Sequence, residues 1–343
     1  MPDMDIDENF LHIDVNPLTL TIITTYTCNA ACEECCFECT PTVKHRLSFD
    51  EIKGFIERSI TTYPTLELVV FTGGECFLLK DDLYNAIGFC TSLGLATRCV
   101  SNGFWGKNRT HAEKVVNALV ENGLSEINFS TGLDHKKWVP VDSVITATEC
   151  LLKTSIPVLI TIEKDSGDSD CFGEVVNDPR IKKLLQEHVK LTIQSNSWMP
   201  FHKNSIERGQ VDQTHLRSGC DQVFTNLVLT PKREIASCCG LTLEHIPEMR
   251  IGDIDDTECY RREQENDFLK LWLRVDGPMN ILETLLGRNH EKLKKVVHVC
   301  QACAILHKDD EVRDKLEAQY TDHMLAVGHK WNLIKAVEME VNV

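Results

Sequence analysis

The chain has 343 residues, enough for one large domain and a smaller one around an ample apolar core. Its 36 Lys and Arg face 52 Asp and Glu, a net charge of −16. That balance argues against a general nucleic-acid binder and leans toward a peptide or small-molecule substrate of cationic character. The 42% hydrophobic content predicts a chain folded throughout, yet no apolar run approaches the ~20 residues needed to span a bilayer. Residues 1–17 are acidic and lack the apolar core of a signal peptide, so a cytoplasmic protein without membrane contact is expected. Sixteen cysteines in such a chain point to metal rather than disulfides.

Apolar β-like runs alternate with amphipathic stretches from 18 to about 195. The runs are 18–25, 66–72, 96–101, 126–131, 158–163 and 190–195; helical stretches lie at 49–62, 83–93, 112–121 and 144–153. The first helix opens on Ser48-x-x-Glu51, a capping box. This alternation predicts βα units and a parallel sheet covered by helices. Six repeats are too few for a closed eight-stranded barrel, so an open, partial barrel is expected. After about Gln210 the pattern changes. Two short runs, 226–230 and 234–237, flank a Pro-Lys-Arg turn and read as a hairpin. Helices are expected at 262–273 and 279–287, followed by a polar helical tail. The organisation is therefore a 1–17 segment, an 18–210 barrel, a 211–310 cysteine-bearing domain and a 311–343 tail.

Cys28, Cys32 and Cys35 follow the first run at the spacing C-x3-C-x2-C. Four cysteines cap every iron of a [4Fe–4S] cluster. Three leave one iron open to a bound small molecule, which points to cluster chemistry on a ligand. Ligands of parallel sheets bind at the carboxyl ends of the strands, where this loop sits. The second run ends in Thr72-Gly73-Gly74-Glu75, where two glycines permit close approach of backbone to a ligand.

Together these motifs resemble the radical S-adenosylmethionine (radical SAM) superfamily over residues 18–195. The resemblance implies a partial (β/α)6 TIM-like barrel of the α/β class, with Cys28, Cys32 and Cys35 holding the cluster. It implies that Gly73, Gly74 and Glu75 receive the cofactor's amino group. Ser101 and Asn102 after the third run, Ser130 on the fourth and Glu163 on the fifth fall where further cofactor contacts are expected. One departure is Glu34, which stands where the family usually carries an aromatic residue before the third cysteine. Cys32, Cys36 and Cys39 repeat the same spacing, but Cys28-Asn29 directly after the strand fits the loop better. Cys36 and Cys39 are then left either to packing or to a catalytic or protective role.

Cys220, Cys238 or Cys239, Cys300 and Cys303 form a second set around the hairpin. Four thiolates with a C-x2-C pair suit zinc. They also resemble the SPASM and twitch domains of peptide-modifying radical enzymes, which implies an auxiliary [4Fe–4S] cluster held by Cys220, Cys238, Cys300 and Cys303. Neighbouring side chains on an extended chain point to opposite faces, which frees Cys239 to give a hydrogen atom to a carbon radical. The assignment of Cys238 and Cys239 can be reversed. Cys76, Cys90, Cys99, Cys150, Cys171 and Cys259 read as isolated thiols, and Asp134-His135 as loop.

The doubled cysteine in the string Cys28 to Cys39, with the Cys238-Cys239 pair, looks like the epimerases that make epipeptides. The expected function is L-to-D epimerisation of a residue in a ribosomally made precursor peptide, with Cys239 as hydrogen donor. A reducing electron donor of the flavodoxin or ferredoxin type is implied. The competing readings are a crosslinking peptide maturase, a small-molecule radical dehydrogenase, and an iron–sulfur or zinc scaffold without enzymatic activity.

Overall fold

The computed structural model describes residues 13–164, 170–197, 199–202 and 213–341; the acidic residues 1–12 and the domain boundary expected near Gln210 lie outside these. All six expected barrel strands form: β1 (Thr19–Ile23), β2 (Leu68–Thr72), β3 (Ala96–Ser101), β4 (Glu126–Thr131), β5 (Val158–Lys164) and β6 (Leu191–Ser197). The helices between them are α1 (Phe49–Thr62), α2 (Asp81–Ser92), α3 (Arg109–Glu121) and α4 (Val141–Leu151). Two short helices, α5 (Cys171–Val176) and α6 (Pro179–Glu187), make the last crossover. β2 is a near-continuous apolar run, whereas β3, β4 and β6 alternate apolar residues with polar ones such as Arg98, Asn128 and Gln194, one face packing under the helices and the other turned inward.

α1 shows how the local code works. Ser48 Oγ accepts the Glu51 N–H, and the Glu51 carboxylate accepts the Ser48 N–H at 2.8 Å. Ile52, Phe55, Ile56 and Ser59, spaced three and four apart, are buried against the sheet.

The C-terminal part adds three strands to the same sheet: β7 (Asn226–Leu229), β8 (Glu234–Ala236) and β9 (Arg250–Asp253). The order is β6-β5-β4-β3-β2-β1-β7-β8-β9, open at both ends. β1 is paired in parallel on both sides, Thr19 opposite Leu68 and Asn226, and Ile22 opposite Phe71 and Leu229. β8 and β9 run antiparallel, completing the expected hairpin with a third strand that the sequence pattern did not mark.

One expectation needs correction. The helix expected at 262–273 is broken into α7 (Cys259–Arg262) and α8 (Phe268–Val275), because the Asp267 side chain accepts the Lys270 N–H at 2.9 Å and starts a new helix. In the N-terminal segment Ile13 and Val15 are buried, and the Ile13 N–H donates to the Glu265 carbonyl at 3.0 Å. The remaining helices are α9 (Pro278–Leu286), α10 (Val299–Lys308) and the long α11 (Asp310–Val341). Among the described residues, no helix is long and apolar enough to cross a membrane.

Replacing Ser48 removes one half of the α1 capping box and leaves an N–H without its acceptor. Ser48→Ala is expected to lower stability by about 1 kcal/mol, read as a lower urea midpoint with unchanged slope.

Candidate active site

The cysteine loop is a closed excursion from the end of β1. The Cys28 N–H donates to the Thr40 carbonyl at 3.2 Å, and Thr27 Oγ1 to the Val43 carbonyl at 2.6 Å. Cys28, Cys32 and Cys35 thereby line one cavity of about 650 Å³ at the carboxyl end of the strands. Burial, with smaller contributions from neighbouring thiols, pushes Cys28 and Cys32 up to about 12. Cys35 is instead lowered to about 6, chiefly by a hydrogen bond from the Cys39 thiol, and the Cys39 N–H also points to its sulfur at 3.4 Å. Three thiols gathered on one cavity wall, two of them held protonated by desolvation and by their neighbours, fit a group that brings positive charge to them, as cluster iron does.

Gly73 and Gly74 form the wall opposite this loop. The Gly74 N–H donates to the Thr25 carbonyl at 2.7 Å, and a Cβ on Gly74 would stand 2.3 Å from the Thr27 carbonyl oxygen. Gly73 has φ +134°, and a Cβ there would stand 2.5 Å from the Thr25 carbonyl oxygen. Both positions therefore require glycine.

Glu75 differs from the expectation. Its carboxylate is fully buried and does not line the cavity. It accepts the Asn102 N–H at 2.8 Å, the Phe77 N–H at 3.1 Å and the Ser101 hydroxyl. Burial raises its pKa to about 7 against the pull of these donors. The residue supports the wall by tying the end of β2 to the end of β3. The surfaces turned to the cavity there are Gly73, Gly74, Ser101 and Asn102. The Asn102 amide Nδ2 reaches the Asn29 side-chain oxygen at 2.9 Å and the Cys28 sulfur at 3.7 Å, joining the third strand to the cysteine loop.

Ser130 lines the cavity, whereas Glu163 is buried behind it. Glu163 Oε2 accepts the Asp134 N–H at 3.0 Å, and the Asp134 carboxylate lies 3.4 Å from the Glu34 N–H. Glu34, the departure from the family pattern, is buried and accepts the Phe201 N–H at 2.6 Å. The Asp134-His135 segment is accordingly part of the site's frame, and His135 itself lines the cavity.

At the other end of β1, the same cavity reaches Thr19, Thr21, Asn226 and Cys239. Cys238 and Cys239 follow β8 and differ in exposure to the cavity. Cys239 faces the cavity; Cys238 faces Cys300, and both sulfurs approach Gly240. Burial raises the thiols of Cys220, Cys238, Cys300 and Cys303, to about 11 for Cys238 and about 12 for Cys300. Cys303 also feels Cys238, Cys300 and Cys220, so the fold gathers this set in one place. Among the described residues no group of three or more His, Cys, Asp or Glu is arranged to hold a single metal ion. The ligands of an iron–sulfur cube each bond a different iron and need not converge on one point.

The architecture can be compared with known proteins. No family model matches the chain. A curated protein of Bacillus subtilis (strain 168), the putative peptide biosynthesis protein YydG, is 28% identical over 156 residues. The match takes in 43% of this chain and spans about half (47%) of YydG. Among solved structures, native anSMEcpe with bound AdoMet and Cp18Cys peptide has a TM-score of 0.53 at 12% identity, covering 91% of this chain and 99% of its own. Native anSMEcpe with bound AdoMet (S-adenosylmethionine) matches to the same degree, with 100% of its own chain covered. The chain has the radical SAM fold.

Within this radical SAM fold several cavity residues went unmarked in the sequence: Arg98, Asn128, Thr161, Asn196, Gln222 and Asn226. Four of them stand on barrel strands, at every second position from other lining residues in β3 and β4. That signal is readable as polar residues interrupting apolar runs.

Gly74→Ala is expected to push the Thr27–Cys28 backbone outward and to lower iron content after anaerobic reconstitution, while the far-ultraviolet spectrum stays unchanged. In Glu75→Gln the new amide N–H₂ faces a backbone N–H. The expected cost is about 1–3 kcal/mol in chemical denaturation.

Proposed function

We propose that this chain is a radical SAM enzyme that converts an L-residue of a ribosomally made peptide to its D-form. The observation that carries the reading is a single cavity with the Cys28, Cys32 and Cys35 thiols at one end of β1 and the Cys239 thiol toward the other. In this reading Cys28, Cys32 and Cys35 hold a [4Fe–4S] cluster. Gly73, Gly74, Ser101, Asn102 and Ser130 contact S-adenosylmethionine, with Glu75 and Glu163 bracing them from behind. Cys220, Cys238, Cys300 and Cys303 hold a second cluster. When bound, cluster and cofactor supply a radical able to take a hydrogen atom from an unactivated carbon.

The chain's own contribution is to hold the peptide between two faces. Cys239 returns a hydrogen atom to the α-carbon from the side opposite the first cysteines: its S–H bond breaks and a C–H bond forms. The resulting thiyl radical is reset by one electron from a low-potential donor of the flavodoxin or ferredoxin class and a proton from water. A peptide substrate is supported by the curated relative, whose name is that of a peptide biosynthesis protein, and by the Cp18Cys peptide bound to anSMEcpe. The net charge of −16 suits a cationic peptide. The competing reading, a crosslink or other oxidation, draws support from the second cysteine set lying directly behind Cys239.

Turnover in D₂O is expected to place one deuterium on the α-carbon of the product residue. Cys239→Ser is expected to keep forming 5′-deoxyadenosine while the D-residue disappears, measured by mass spectrometry and chiral amino-acid analysis. An unlabelled product from a confirmed peptide substrate would sink the epimerase reading, and loss of two hydrogens would establish the crosslink.

A further inference from the structure

Cys239 stands at the end of a chain of amide hydrogen bonds that the reaction as described does not use. Gln222 Nε2 donates to Asp221 Oδ1 at 2.9 Å. An ionised carboxylate only accepts, so this contact sets which way the Gln222 amide is turned. Its oxygen then faces inward, 2.8 Å from Cys239 Sγ and 3.1 Å from Asn226 Nδ2. Asn226 Nδ2 lies a further 3.1 Å from the same sulfur. All four residues line the cavity, and Asn226 is 6% exposed.

The sulfur thus has an acceptor in Gln222 Oε1, a donor in Asn226 Nδ2, and the Thr21 hydroxyl as a further hydrogen-bonding neighbour. A carbonyl oxygen at 2.8 Å repels a thiolate and accepts from an S–H, while the Asn226 amide hydrogen takes a sulfur lone pair. We infer that Gln222 and Asn226 are positioning residues for Cys239, parking its hydrogen on Gln222 Oε1 and fixing the sulfur at the cavity wall until a carbon radical competes for that hydrogen. An S–H is a weak donor, so the hydrogen is held in place without being withheld. The parking also keeps it turned toward the wall before the peptide enters. The inference deepens the epimerase reading and rests on it for its purpose, but the hydrogen bonds are testable without turnover.

The test is the S–H stretching band of Cys239 in the full-length protein, isolated by subtracting the Raman spectrum of Cys239→Ser from that of each parent carrying Cys239. The native band is expected below the frequency of an unbonded thiol. Gln222→Leu is expected to move it upward, and the double variant Asp221→Asn with Gln222→Glu, which keeps both an acceptor oxygen toward the sulfur and a donor–acceptor contact at position 221, to leave it low. Asn226→Ala is expected to shift the band as well, and serves if Gln222→Leu does not fold. A band at the unbonded position in the native protein, or one unmoved by both substitutions, overturns the inference whatever reaction the enzyme performs. With peptide, Gln222→Leu is expected to lower the yield of D-residue per 5′-deoxyadenosine and the Asp221→Asn, Gln222→Glu double variant to restore it. A correctly placed band with no D-residue formed counts against the epimerase reading and leaves the hydrogen-bond assignment standing.

Discussion

The parallel pairing of β1 with β2 on one side and β7 on the other is the constraint on which the site depends. A five-residue strand, Thr19–Ile23, has to present an unbroken inner face to the cavity while both its edges are occupied. Thr19, Thr21 and Ile23 do so, and Leu20 and Ile22 are buried on the opposite side. At ~3.3 Å per residue this short strand separates the two groups of thiols by roughly the length of a small peptide segment. Its end delivers the loop of Cys28, Cys32 and Cys35. Its start lies against Asn226, whose neighbourhood includes Cys239. A barrel closed by an additional βα unit would have had no opening through which the C-terminal part could place a thiol at the floor.

The electrostatics of the two cysteine sets follow from burial. Thiols inside an apolar frame resist ionisation, and each neighbouring thiolate raises the resistance further. The protein supplies little compensating charge: Lys270 and Arg274 lower the pKa of the C-terminal thiols slightly, against a much larger effect of desolvation. Such sets are suited to receive positive charge from a bound group. The polar groups around them are arranged differently, as supports. Glu75 ties β2 to β3, Asn102 ties β3 to the cysteine loop, and Glu163 ties β5 to the Gly132–His135 turn. Each uses its hydrogen bonds to fix a wall, and Asn102 also faces the cavity.

The remaining cysteines separate by position. Cys76, Cys90, Cys99, Cys150, Cys171 and Cys259 are all buried and absent from the cavity wall, consistent with core thiols. Cys36 and Cys39 do line it. Cys39 gives a hydrogen bond to Cys35, and Cys36 is close enough to both Cys35 and Cys300 for their charges to raise its pKa. The loop therefore lies near both cysteine sets, which the sequence spacing alone could not show.

What the sequence determined by itself was local. The βα alternation, the Ser48 capping box, the C-x3-C-x2-C loop after β1 and the Gly73-Gly74 turn depend on neighbours within a few residues, and they formed as read. Tertiary structure decided what depends on distant partners. The sequence could not say that Glu75 would turn away to Ser101 and Asn102, because which way a carboxylate at a strand end turns is set by the strand beside it. Nor could it say that Gln222 would meet Cys239, seventeen residues onward, because that contact exists only once the β7–β8 hairpin brings its two flanks together.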